Sequence, residues 1–148
     1  MNALTEWWKN CECPIINGLM FPDGSVESIE TMDQPQTAGA HRMLKTVRRQ
    51  FVDFGPTKVT GVVATCRDED KERGMVAVGG GAGMGGDGFI AVTDLQDEIM
   101  WLAFFDFSNS FVSVKLGETE VIAKSNLGER WHLQLKRPSE IIIEASVE

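Results

Sequence analysis

Residues 88–143 read GFIAVTDLQDEIMWLAFFDFSNSFVSVKLGETEVIAKSNLGERWHLQLKRPSEIII. Short runs rich in Val, Ile, Phe and Trp alternate there with turn residues. The runs are GFIAVTD, EIMWLAFFDF, FVSVKL, TEVIAKS, RWHLQLK and EIIIEA. Between them lie Asp94 to Asp97, Ser108-Asn109-Ser110, Gly117-Glu118, Asn126-Leu127-Gly128 and Pro138-Ser139. Strands this close together leave no room for a crossover helix, so the spacing predicts antiparallel hairpins rather than parallel β-α-β units. Met100–Phe105 is apolar throughout, which predicts a central strand covered on both faces. Phe89, Trp101, Phe104, Phe107, Phe111 and Trp131 are the expected bulk of the core.

Upstream of this block the pattern is mixed. Leu4, Trp7 and Trp8 share one face at helical spacing, which predicts a short helix over Leu4–Asn10 that anchors on the sheet. Ile15 to Ile29 reads as a hairpin around the turn Pro22-Asp23-Gly24-Ser25. Gln36 to Phe54 carries Met43, Leu44, Val47, Phe51 and Phe54 on one helical stripe. Asp33 is placed to cap it and Gly55-Pro56 to end it, which predicts a long helix. Arg42, Lys45 and Arg49 would share its other side, a solvated face or a small anion-binding patch. KVTGVVATC (58–66) reads as a strand, RDEDKER (67–73) as a charged turn or loop, and Met75–Val78 as a further strand. The expected fold is α+β: one domain over residues 1–148, with a twisted antiparallel sheet of about six to eight strands. Its meander-like hairpins pack against one long and one short helix.

Seven of the ten residues from Gly79 to Gly88 are glycine. Gly81, Gly83 and Gly86 satisfy G-x-G-x-x-G, but a dinucleotide site needs the last glycine to open a helix. Here Phe89-Ile90-Ala91-Val92 continues as a strand, and no Gly-Lys-Ser/Thr follows. The stretch is therefore expected to be a flexible hairpin tip, because ordering so many glycines costs backbone entropy.

The 148 residues carry 22 acidic and 14 basic side chains, a formal net charge of −8. Phosphates would be repelled, so a nucleic-acid partner is not expected; a cationic protein partner suits the charge. No apolar run reaches about 18 residues, so no membrane segment is expected. The N-terminus lacks the pattern of a signal peptide, and the expected location is the cytoplasm. Three cysteines without an export signal imply free thiols. Cys11-Glu12-Cys13 does not have zinc-knuckle spacing. His132, which alternates with Trp131 and Leu133, is expected to face outward. Neither it nor His41 has a nucleophile placed beside it by any local motif. Neither an enzyme nor a metal or cofactor site is expected.

GDGFIAVTD, IMWLAFFDFSNSF and EVIAKSNLGERWHL, within residues 87–133, resemble small bacterial immunity proteins. These are the antidotes of polymorphic and contact-dependent growth-inhibition toxins. The resemblance implies a cytosolic, non-enzymatic protein. It would bind the C-terminal domain of one cognate toxin, expected to be basic and a nuclease. An acidic inhibitor would mimic phosphates in the nuclease cleft and be steered into it. The candidate toxin-binding residues are Asp68, Glu69, Asp70 and Glu72 in the charged loop and Asp87 at the glycine stretch. The alternatives are a small-molecule-binding domain or enzyme with a pocket under Gly79–Gly88, and an adaptor that self-associates through a sheet edge.

Overall fold

The structure, a computed structural model, describes residues 3–29, 41–51, 58–83, 85–138 and 140–144. A seven-residue helix α1 (Ala3–Lys9) leads into β1 (Glu12–Pro14), β2 (Gly18–Met20), β3 (Ser25–Ile29) and β4 (His41–Phe51). Then follow β5 (Val59–Asp70), β6 (Met75–Ala82), β7 (Gly88–Thr93), β8 (Ile99–Phe105), β9 (Phe111–Leu116), β10 (Glu120–Ser125), β11 (Arg130–Gln134) and β12 (Glu140–Glu144). All neighbours are antiparallel, in the order β1-β5-β6-β7-β8-β2-β3-β4-β12-β11-β10-β9.

This corrects the α+β expectation. The protein is predominantly β, and α1 is the one helix among the described residues. Of the segment expected as a helix over Gln36–Phe54, residues 41–51 are strand and the remainder lies outside the described residues. Met43, Leu44, Val47 and Phe51 do fit a helical stripe, but two open ladders compete for this segment. Thr46 to Phe51 pairs with β3, and His41 to Lys45 pairs with β12. Backbone pairing along eleven residues overrides a weak local preference. The helical face that would gather Arg42, Lys45 and Arg49 does not form. The strand instead joins the β1–β8 side of the sheet to β9–β12.

The expected hairpin over Ile15–Ile29 forms, with Met20 opposite Val26. The strands read from residues 88–143 form too, and β8 shows why Met100–Phe105 is apolar. Trp101, Ala103 and Phe105 enter one core with Phe111, Val121, Trp131, Leu133, Ile141 and Ile143. Leu102 and Phe104 enter a second core with Leu4, Met20, Val62, Val78 and Phe89. Alternate residues of a strand face opposite sides, so β8 feeds both. In the first core the Phe105 and Trp131 rings lie 4.6 Å apart and those of Phe111 and Trp131 5.5 Å apart. Phe107 is half-buried against the same core.

α1 roofs the second core. Trp7 and Trp8 are half-buried against it, and the Trp8 and Phe89 rings meet edge-on at 5.7 Å. Thr5 is buried and fastens the helix to the β7–β8 turn. Its hydroxyl donates to Glu98 Oε2 at 3.2 Å and accepts the Ile99 N–H at 3.2 Å. Cys11, in the left-handed region at φ 57°, ends the helix, and its carbonyl accepts the Val62 N–H at 2.8 Å.

Two expectations between residues 67 and 88 are corrected. Arg67–Asp70 is not loop: β5 runs through Asp70, which pairs with Met75, and the turn is confined to residues 71–74. The hairpin tip expected over Gly79–Gly88 is shorter than that, because Gly79–Ala82 completes β6 and Gly88 begins β7. Gly79, Gly80, Gly81 and Gly88 are buried, and other parts of the chain occupy the space that side chains would need. A Cβ at Gly80 would collide with the Val63 carbonyl, one at Gly81 with the Ser110 hydroxyl, and one at Gly88 with the Asn109 carbonyl.

Candidate functional site

The five candidate carboxylates fall into three environments. Asp68 is half-buried on β5, where Oδ2 accepts the Leu116 N–H of β9 at 2.8 Å and Oδ1 accepts the Glu69 N–H at 3.0 Å. Asp70 accepts Arg73 Nε–H at 2.6 Å and the Arg73 backbone N–H at 3.2 Å. These Arg73 bonds hold its carboxyl below the usual range. The guanidinium then reaches the β9–β10 turn, donating to Glu118 O at 3.0 Å and Gly117 O at 2.8 Å. Asp68 and Asp70 thus fix the end of the β5–β6 hairpin in place.

Glu69 and Glu72 are exposed on that fixed tip, and Glu69 meets only Arg67, at 4.0 Å, among the ion pairs of the described residues. Asp87 lies beyond the other end of β6, with the full length of that eight-residue strand between it and the tip. It is 3 % exposed, with Oδ1 accepting the Ala82 N–H at 3.0 Å. A buried carboxylate cannot meet a protein surface, so Asp87 leaves the set of candidate contacts.

Beside the same tip runs a groove of about 690 Å³ whose walls include Arg73, Met75, Met100, Leu135, Lys136 and Arg137. The Leu135 wall is held by Trp101 Nε1, which donates to its carbonyl at 3.1 Å, and by its own N–H on Thr119 O at 2.9 Å. Local reading of the sequence misses this groove. The pair Lys136-Arg137 is visible there, but Met75 and Met100 are far from it in the chain, and only the sheet order brings them together. A second groove of about 420 Å³ touches Trp8, Cys66 and Val78. Neither groove is lined by residues 79–88, so the pocket expected under that stretch has no counterpart in either.

His132 lies on the opposite face of β11 from buried Trp131 and Leu133, as the alternation of RWHLQL predicts, but it is not free there. It is half-buried on β11 between carboxylates of both neighbouring strands. Nδ1 lies 3.3 Å from Glu120 Oε1, and Nε2 bonds to Glu144 Oε1. With both ring nitrogens engaged, His132 is a cross-strand clamp rather than a poised base. Among the described residues no group of three or more His, Cys, Asp or Glu side chains is arranged to hold a metal ion. Cys11, Cys13 and Cys66 are free thiols. No helix among the described residues is long and apolar enough to cross a membrane. No family model matches this chain, and no curated protein matches it.

Proposed function

We propose that this chain is a toxin-neutralising immunity protein, a binding protein that occupies the basic cleft of a cognate bacterial toxin domain, a nuclease. The observation that carries this reading is the division of labour at the β5–β6 tip. Asp68 and Asp70 are spent on internal bonds, so Glu69 and Glu72 stand exposed on a backbone that is already ordered. Preorganisation removes part of the entropy cost of association. The net charge of −8 steers a cationic partner toward the protein. The resemblance of residues 87–133 to immunity proteins supports the same reading. Inhibition by occupancy requires no catalytic group.

The test is co-expression with the C-terminal toxin domain encoded beside this chain. Survival of the cells and a 1:1 complex on gel filtration are expected. Unchanged killing together with absence of a complex would sink the proposal.

A further inference from the structure

We propose that the groove between the β5–β6 turn and the β11–β12 connection binds a small amphiphilic anion: one acidic head group on an alkyl or aryl body. Its volume is about 690 Å³. Clefts of that size are typical of small-molecule sites. One part of the wall is apolar. Met75, Met100 and Leu135 line it, and Met100 is 43 % exposed although Trp101 to Phe105 after it are all buried. An unbranched thioether left half in solvent adapts readily to an apolar guest.

The other part of the wall is cationic. Lys136 and Arg137 are exposed, and among the described residues neither makes an ion pair. Arg73 lines the groove as well, already fixed by Asp70 and by the Gly117 and Glu118 carbonyls. Glu118 also lines the groove and offsets one charge, so Lys136 and Arg137 leave a net excess of one positive charge beside the apolar wall, a local reversal of sign in a chain of net charge −8. A neutral apolar molecule would leave them unused, and a bare inorganic anion would leave the methionines in water. A molecule with both parts engages both. Arg73 and Leu135 are tied down by bonds to Asp70, Gly117, Glu118, Trp101 and Thr119, so the cleft is largely formed before the ligand arrives. Glu69 and Glu72 do not line it, and the inference stands or falls independently of toxin binding.

The test is calorimetric titration of the full chain with decanoate, decyl phosphate, decanol, acetate and inorganic phosphate. Decanoate and decyl phosphate should saturate one site with Kd on the order of 100 µM. The tighter of the two identifies the head group as carboxylate or phosphate. Decanol should bind about tenfold more weakly, and acetate and inorganic phosphate should not saturate. The double substitution Lys136→Ala, Arg137→Ala should weaken the long-chain anions about tenfold and leave decanol unchanged. Met100→Gln, which removes apolar surface without adding charge, should weaken decanoate and decanol alike. The proposal is overturned if decanoate and decanol bind equally, if the double substitution changes neither anion, or if no long-chain anion saturates.

Discussion

Asp68 Oδ2 accepts the backbone N–H of Leu116 at 2.8 Å, and three residues earlier Thr65 Oγ1 donates to Phe111 O at 2.6 Å. Side chains of β5 thus satisfy backbone groups of β9, a strand at one end of the sheet order. The sheet curls until β9 reaches β5, and side-chain bonds make the join without a further ladder. Asp68→Ala would strand the Leu116 N–H in a partly buried seam, and it should destabilise the protein by about 1–3 kcal/mol. Asp68→Asn keeps an acceptor oxygen and should lose less. Urea unfolding measures both; a loss for Asp68→Ala under about 0.5 kcal/mol would make the seam bond unimportant.

Gly80→Ala should destabilise by about 1–3 kcal/mol or more. Its methyl would meet the Val63 carbonyl, backbone that cannot step aside. Gly83→Ala is the control. Nothing lies within 4 Å of a Cβ there. That change should alter stability by less than about 0.5 kcal/mol. Equal effects at the two positions in thermal melts would mean that the β6 glycines serve flexibility rather than packing.

These glycines mark where reading from sequence stops. The β7–β12 strands are legible because period-two apolarity and turn residues act locally. α1 is legible because Leu4, Trp7 and Trp8 share a face and cover Phe89 and its neighbours. β4 is not, since Met43, Leu44, Val47 and Phe51 satisfy a helical stripe as well as a strand. Its identity is decided by partners at 25–29 and 140–144. The glycine run misleads because close packing by Val63, Ser110 and Asn109 leaves no mark in the run itself. The charged run misleads for a related reason: the carboxylates of Asp68 and Asp70 are absorbed by Leu116 and Arg73. Of the five candidate acids, Glu69 and Glu72 remain exposed, and the groove beside them is built by residues from separate strands and turns.

Cys13 should make stability fall at alkaline pH. Burial pushes its thiol above the ordinary value of 9.0, and the negative charge of Asp87 adds to the effect. The folded chain therefore keeps a proton that the unfolded chain releases. This contribution is complete below the ordinary value and is lost as pH rises beyond it, by about 1.4 kcal/mol per pH unit for one proton. Cys66 shifts in the same direction, again chiefly by burial. Unfolding free energies at about pH 8 and about pH 10 should differ less in Cys13→Ala than in the parent chain. In the native protein at mildly alkaline pH, iodoacetamide should label exposed Cys11 first and leave Cys13 intact.

If this chain neutralises a toxin domain as proposed, the acids of the β5–β6 tip should separate into two kinetic classes in that binding reaction. The Glu69 and Glu72 side chains are exposed and, among the described residues, form no ion pair that ties the tip to another strand. Glu69→Gln with Glu72→Gln should therefore change stability by less than about 0.5 kcal/mol. What the pair supplies is field. Neutralising it should slow association several-fold and flatten its dependence on salt, with dissociation little changed. Asp70→Asn removes one charge but also loosens the bonds that hold Arg73 and the turn. A tip that must be ordered on binding loses affinity through faster dissociation as well as slower encounter. Stopped-flow association and dissociation rates, measured at two ionic strengths, distinguish the classes. If the Glu69, Glu72 pair leaves the association rate and its salt slope unchanged while the protein still protects cells, the tip is not the contact surface. If Asp70→Asn changes association alone, its bond to Arg73 does not preorganise that surface.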